Sequence, residues 1–159
     1  MRRQRLTRDL EELYRTEYPR FLRVSLAIVG DEAAAHDAVQ EAFARALRSA
    51  HTYRGEGPLA AWVWSILVNT ARAASYGREL PMELATADEA VSVAEEDGDI
   101  RDWIASLPER QRLAVFLRYY ADLGYREIAS ALDVETGTVS ATLSAAHAAL
   151  RRSLQEVRR

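Results

Sequence analysis

The sequence predicts an all-α fold, with two small helical domains joined by an acidic linker and a helix-turn-helix in the C-terminal domain. Apolar residues recur at intervals of three and four towards both ends of the chain, which is the period of a helix with one buried face. A stretch without that period, residues 79–100, separates the two ends. Near the C-terminus, a short periodic segment, a tight turn and a second periodic segment follow one another, as in a helix-turn-helix.

The charge distribution divides the chain at the same places. Among 159 residues there are 21 basic and 24 acidic ones, and every base is Arg. Residues 1–78 carry a net charge of +3, residues 79–100 of −8 and residues 101–159 of +2. We take these three segments as N-terminal domain, linker and C-terminal domain. The plainest interpretation of the linker is a solubilising spacer.

The composition excludes several classes of protein. Without Cys, the chain has no disulfide, thiolate zinc site or Cys nucleophile. The three His, at positions 36, 51 and 147, lack metal-ligand spacing, and neither a glycine-rich phosphate loop nor a suggestive Ser-His-Asp order occurs. The N-terminus is charged, and the apolar runs are too short to cross a bilayer. We therefore expect a cytoplasmic non-enzyme with no metal, cofactor, small-molecule substrate or membrane contact.

The first block predicts helices with defined ends. One helical stripe contains Leu10, Leu13, Tyr14, Phe21, Val24 and Ile28. Pro19 interrupts this stripe and predicts a kink or a break into two pieces. Gly30 should end the helix, and Asp31 can cap the next one.

The second predicted helix, from Glu32 to Ala50, has one apolar and one polar face. Its polar face carries Asp37, Gln40, Glu41, Arg45 and Arg48. Glu41 and Arg45 are spaced to form an ion pair one turn apart. The plainest interpretation of this face is that it is merely solvated, since such pairs contribute little to stability.

A polar turn at residues 54–57 then precedes a helix that starts near Pro58. We expect this helix to bury Leu59, Trp62, Val63, Ile66 and Leu67 and to keep Trp64, Asn69 and Arg72 off the centre of the buried stripe. A polar loop beside an aromatic helix is a candidate surface for single-stranded nucleic acid, because bases stack on aromatic rings while Arg holds phosphates. The alternative is that Trp62 belongs to the core.

The second block contains the helix-turn-helix. Its first helix spans 125–132, its turn 133–135, and its second helix begins at Glu135 or Thr136; an ordinary helical hairpin is the alternative. No Arg occurs between Arg126 and Arg151, and the outward face of the second helix is mainly Ala141, Ser144, Ala145 and Ala148. Small neutral side chains read few base edges. Phosphate contacts would come from backbone N–H groups, Ser/Thr hydroxyls or the arginines at 151 and 152.

Three stretches, in this order and covering roughly residues 10–155, resemble the extracytoplasmic-function (ECF) sigma factors of bacterial RNA polymerase. The first, LYRTEYPRFLRVSLAIVGDEAAAHDAVQEAFARAL, is similar to the helical pair whose acidic, Gln-bearing second helix docks on the clamp helices of the polymerase. The second, YRGEGPLAAWVWSILVNTAR, is similar to the loop and helix that open and read the −10 element. The third, LPERQRLAVFLRYYADLGYREIASALDVETGTVSATL, is similar to the domain that reads the −35 element.

The resemblance implies roles for individual residues. The residues that would face the core enzyme are Asp37, Gln40 and Glu41. Those that would read the −10 element are Arg54, Gly55, Trp62, Asn69 and Arg72. Those that would contact the −35 element are Tyr125, Gly137, Thr138, Ser140, Thr142, Ser144, Arg151 and Arg152. Members of the family commonly carry several Lys or Arg along the second helix, so their replacement here predicts weak −35 reading.

The function that the resemblance implies is that of a sigma factor. Such a factor binds core RNA polymerase, directs it to promoters and helps open the −10 region; an anti-sigma factor is an optional further partner. The acidic linker would then suit a positively charged nucleic-acid channel. Two alternatives stay open: a sigma-like interaction module with decayed −35 reading that titrates polymerase or an anti-sigma partner, and an ordinary helix-turn-helix repressor.

Overall fold

The computed structural model describes residues 2–76, 103–104 and 106–157, and within them the chain forms α-helices and no strand, as predicted. The main helices are α1 (Arg2–Val29), α2 (Glu32–Arg48), α3 (Leu59–Ser75), α4 (Glu109–Tyr119), α5 (Tyr125–Leu132) and α6 (Thr136–Val157). A short 3-10 helix at Ala50–Thr52 follows α2. The predicted linker at 79–100 lies outside the described residues.

The boundary between α1 and α2 is the one that the sequence predicts. Gly30 adopts a left-handed φ of 73°, and its N–H donates to the carbonyl oxygen of Leu26 at 2.8 Å. Asp31 caps α2, because its Oδ2 accepts a hydrogen bond from the N–H of Ala34 at 2.8 Å. The glycine therefore ends one helix and the aspartate begins the next.

Of the two outcomes expected at Pro19, a kink or a break into two pieces, the break does not occur, because α1 runs through this proline as one helix. A proline inside a helix costs about 3 kcal/mol through a lost hydrogen bond and a steric clash. Phe21 and Val24, two and five residues after the proline, are completely buried. Their burial against α2 and α3 offsets that cost.

The N-terminal domain, α1–α3, is built around packed aromatic rings. The ring of Phe21 lies 5.2 Å from that of Phe43 and 4.3 Å from that of Trp64, measured between centroids. Trp64 is only 1% exposed, whereas Trp62 is partly exposed. The sequence prediction had placed Trp62 in the buried stripe and Trp64 off its centre. This placement of the two tryptophans was wrong. Helix α3 packs against α1 and α2 and also against the helix Tyr125–Leu132, which moves the centre of its buried surface.

The C-terminal domain, α4–α6, contains the predicted helix-turn-helix. After α5, Asp133 adopts a left-handed φ of 53°, and the N–H of Val134 donates back to the carbonyl oxygen of Ala129 at 3.0 Å. Helix α6 then begins at Thr136 and buries Val139, Leu143 and Ala146. The turn at residues 133–135 is therefore confirmed.

The two domains pack directly on each other. Helix α3 packs against α5, and α1 contacts α4. At the edge of this interface, Arg72 Nε lies 3.4 Å from Glu109 Oε1. The guanidinium of Arg23 lies 5.7 Å from the centroid of the Tyr120 ring. The N-terminal domain thus contributes two arginines, and the C-terminal domain contributes their partners.

Candidate nucleic-acid interface

Helix α2 carries acidic and basic groups in sequence along its solvent-facing side. Asp37 and Gln40 are exposed, because the helix turns its apolar side toward α1 and α3. Glu41 Oε1 accepts hydrogen bonds from Arg45 Nε at 2.8 Å and from Arg48 at 3.0 Å. The hydrogen bond from Arg45 is the main reason why the pKa of Glu41 lies below its ordinary value. The predicted pair is therefore confirmed, and a second arginine joins it.

The same two arginines line a pocket between the end of α2 and the outer side of α3. This open pocket has a volume of about 460 Å³. Its lining consists of Arg45, Arg48, Ser49, His51, Ile66 and Asn69. Of these, only Asn69 was assigned to DNA from the sequence. The pocket combines cationic groups suited to phosphates with an amide suited to a base edge.

The loop before α3 is a compact turn with a tyrosine at its base. Tyr53 donates its hydroxyl hydrogen to the carbonyl oxygen of Gly57 at 2.6 Å, and its ring centroid lies 5.2 Å from that of Trp62. Gly55 has a φ of +78°, which a residue with a side chain rarely adopts, and open space surrounds it. Arg54 is exposed beside it. The structure therefore places Tyr53, the neighbour of the predicted loop residues Arg54 and Gly55, against Trp62.

Trp62, Ile66 and Asn69 follow one another along the outer side of α3. Seven residues are almost two helical turns, so Trp62 and Asn69 lie on one face about 10 Å apart along the axis. Asn69 and Arg72 are exposed and one turn apart. Arg72 lies at the edge of this face, where Glu109 holds it. Four of the five predicted −10 residues thus lie on or beside one surface, and Arg72 is shared with the domain interface.

The exposed residues of α6 that precede Arg151 are all neutral, as expected. The exposed residues predicted to contact the −35 element are Tyr125, Gly137, Thr138, Ser140, Ser144, Arg151 and Arg152. Thr142 is partly exposed, and its hydroxyl donates to the carbonyl oxygen of Thr138 at 2.7 Å. Arg151 lies about 16 Å along the helix axis from Ser140. The two cations of α6 are therefore displaced from the end of the helix that follows the turn.

Two of the three histidines take part in ordinary side-chain contacts, and His51 lines the pocket. His36 is hydrogen-bonded to Tyr18, and His147 Nε2 lies 2.9 Å from the hydroxyl of Tyr119. Within residues 2–76, 103–104 and 106–157, no group of three or more His, Cys, Asp or Glu side chains is placed to hold a metal ion. No helix in this part of the chain is long and apolar enough to cross a membrane.

Comparison with known proteins assigns both halves of the chain to one class of transcription factor. The family model for Sigma-70 region 2 matches residues 13–75, and the one for Sigma-70 region 4 matches residues 97–150. The RNA polymerase sigma-H factor of Pseudomonas aeruginosa is 28% identical over 88% of this chain and 83% of its own length. The ECF RNA polymerase sigma-E factor of Escherichia coli is 32% identical over 75% of this chain and 73% of its own length.

Solved structures show the same fold. CnrH in complex with the cytosolic domain of CnrY superposes with a TM-score of 0.73 at 18% identity, covering 98% of this chain and 93% of CnrH. The sigma factor RpoE in complex with the anti-sigma factor NepR, from Bartonella quintana, gives 0.70 at 21% identity, covering 92% and 97%.

A region-2 domain followed by a region-4 domain with a helix-turn-helix defines a factor of the sigma-70 class. Within that class, the chain belongs to the ECF sigma factors of bacterial RNA polymerase.

Proposed function

We propose that this sigma factor binds core RNA polymerase through the exposed polar side of α2 and opens promoters with the pocket at the end of that helix. One observation carries the proposal: Asn69 lies in a pocket with Arg45 and Arg48. Asp37 and Gln40, one to two turns earlier on α2, stay exposed beside it. One helix can therefore present an acidic docking surface and a cationic DNA surface.

The −10 surface suits a melted strand. Trp62 and Tyr53 offer aromatic faces on which bases stack, and each such stack is worth about 1–3 kcal/mol. Asn69 can pair with the edge of an extruded base, while Arg45, Arg48 and Arg54 supply phosphate contacts. Because stacking requires unpaired bases, this surface stabilises open rather than duplex DNA.

The −35 surface contributes positioning rather than sequence choice. Backbone N–H groups at the start of α6 and the hydroxyls of Thr138 and Ser140 can reach phosphates. Arg151 and Arg152 add a second phosphate contact further along. This chain is then a non-catalytic, cytoplasmic protein whose partners are core polymerase and promoter DNA. CnrH and RpoE were solved with protein partners bound, which supports an anti-sigma factor as a third partner.

The initiation factor is favoured over the module that merely titrates polymerase. A titrating protein would need only the docking side of α2. The assembled aromatic loop and cationic pocket serve no purpose in such a protein, and both lie within the region-2 match.

The docking surface is tested by reversing one charge. Asp37→Arg should weaken binding to core polymerase with little effect on folding, because the side chain is exposed. Reversal of a charge at an interface can cost several kcal/mol. Glu12→Arg, an equal change at an exposed position of α1, is the control. Pull-down with core enzyme, with circular dichroism to monitor folding, measures both; equal binding by the two variants would contradict the assignment.

A further inference from the structure

We infer that Glu41 positions the two arginines of the proposed −10 pocket and thereby makes this pocket selective for a base. It holds Arg45 and Arg48 at the pocket wall and cancels one of their two positive charges. The inference rests on the proposed function and deepens it, because it gives the pocket a residue that the resemblance had assigned to polymerase docking.

One carboxylate oxygen of Glu41 holds both arginines. Glu41 Oε1 accepts hydrogen bonds from Arg45 Nε at 2.8 Å and from Arg48 Nη2 at 3.0 Å. The two arginines line the pocket, whereas Glu41 does not. An effect of the carboxylate on a bound strand therefore passes through the guanidinium groups. A guanidinium has five N–H donors, so each arginine gives one to Glu41 and has others for a phosphate.

These ion pairs are too exposed to serve mainly the stability of the fold. The side chain of Glu41 is 43% exposed, and those of Arg45 and Arg48 are 51% and 63% exposed. Water screens ion pairs at such positions, and they contribute little to folding stability. What the two pairs define is the position of the guanidinium groups at the pocket.

Without the carboxylate, the two arginines would repel each other. They are three residues apart on α2, which places them on one face of the helix, where like charges are unfavourable. Two long side chains in this situation turn away from each other into solvent. With Glu41 bonded to both, the guanidinium groups stay at the pocket that also contains Asn69, and the three charged groups sum to +1.

The fixed arginines affect selectivity because phosphate contacts alone carry no sequence information. Additional or unplaced positive charge raises the affinity for every strand. A phosphate that is bound at a defined position places its own base at the amide of Asn69, which can donate and accept hydrogen bonds at a base edge. Loss of the carboxylate should therefore raise the general affinity for single strands and lower the preference for one sequence.

The inference is tested with single strands selected from a random library by the unsubstituted factor saturated with core enzyme. Oligo-dT of the same length is the non-cognate reference. For Glu41→Gln with saturating core enzyme, the ratio of the two affinities should fall about tenfold, which corresponds to one good base contact. The log–log salt dependence of oligo-dT binding by the free factor should steepen by about 0.7, because one more cation faces the strand.

Glu17→Gln is the matched control. It removes an equal charge and an equal ion pair from α1, where Glu17 Oε2 lies 3.0 Å from Arg20 Nη1, and neither residue lines the pocket. Its affinity ratio and its salt dependence should match those of the unsubstituted protein. Circular dichroism verifies that both variants fold. An unchanged ratio for Glu41→Gln, or an equal fall for Glu17→Gln, overturns the inference.

A double-mutant comparison tests whether Glu41 acts through the arginines. In a background with Arg45→Gln and Arg48→Gln, the further change Glu41→Gln should no longer steepen the salt dependence, because the groups that it holds are gone. A steepening of the same size in this background overturns the inference. If the unsubstituted factor with core enzyme enriches no sequence, the −10 assignment in the proposed function fails. The salt dependence of the free factor then still measures whether Glu41 cancels a charge at the pocket.

Discussion

Two tryptophans two positions apart in α3 have opposite roles. Trp64 is 1% exposed and packs against Phe21 in the core, with the two rings tilted by 42°. Trp62 is partly exposed and lies beside Tyr53 of the loop. Two residues along a helix rotate a side chain by about 200°, so Trp64 lies inside the core while Trp62 packs against its edge with part of the ring exposed. The first therefore stabilises the domain, and the second is available to nucleic acid.

Substitution of each tryptophan separates these roles. Trp64→Ala should lower the free energy of unfolding by about 3–5 kcal/mol, because it leaves a cavity in the core. Trp62→Ala should cost much less stability but reduce open-complex formation, since a stacking surface worth about 1–3 kcal/mol per base is lost. Urea unfolding and in vitro transcription with core enzyme measure the two effects. Equal destabilisation by both changes would place Trp62 in the core.

At the scale of the element, α3 and α6 differ in the side chains that they offer for contacts with DNA. The proposed −10 surface around α3 has aromatic rings, an amide and cations, whereas the exposed side of α6 has small neutral residues before Arg151. A good bidentate contact discriminates against a wrong base by about 1–3 kcal/mol, and α6 lacks the Arg or Lys to make one.

Promoter choice should therefore depend more on the −10 than on the −35 sequence. Transcription from libraries randomised separately at each element, with saturating core enzyme, measures the difference. Arg151→Ala and Arg152→Ala should weaken binding with little regard to sequence, because they remove phosphate contacts. A larger loss of output from the randomised −35 bases would show that hydroxyl, backbone or water-mediated contacts read that element.

Local sequence patterns predicted the helices and turns. They did not predict the contacts between residues that are distant in the sequence. The cap at Asp31, the turn at residues 133–135 and the pair Glu41–Arg45 all join residues within a few positions, so their spacing alone suggests them. The pocket joins His51 and Asn69 with the end of α2, and no periodicity encodes that meeting. The one usable signal was the recurrence of Arg, His and Asn around the predicted −10 loop.

At the scale of the molecule, the interface between the two domains could not be predicted from the sequence either. Arg72 and Glu109 are separated by the segment whose composition predicts a linker, and either residue alone suits a solvated surface. Apolar residues of α3 extend beyond the predicted buried stripe, as Trp64 shows. This width indicates that the helix packs against a second neighbour, but the sequence does not identify that neighbour.

This packing predicts that a severed chain stays together. A protease site inserted between residues 79 and 100, cleaved after folding, should give two fragments that co-elute in gel filtration, because α3 and α5 still pack. In the Glu109→Arg background, where two guanidinium groups repel each other, the fragments should separate at a lower denaturant concentration. Fragments that part immediately in the unsubstituted protein would show that the tether alone keeps the domains together.

The burial of α3 also limits how the promoter preference of this factor can evolve. Only Asn69, Arg72, Ala73 and Ala74 are exposed among the residues of that helix. Most other positions are committed to packing, where a new side chain risks unfolding before it offers a new contact. Drift toward a new set of target genes thus has few routes: these four positions, the loop at residues 53–58 and the exposed pocket residues Arg45 and Arg48. A lineage under pressure to rewire its regulon would accumulate changes in that small region while the rest of the helix stayed as it is.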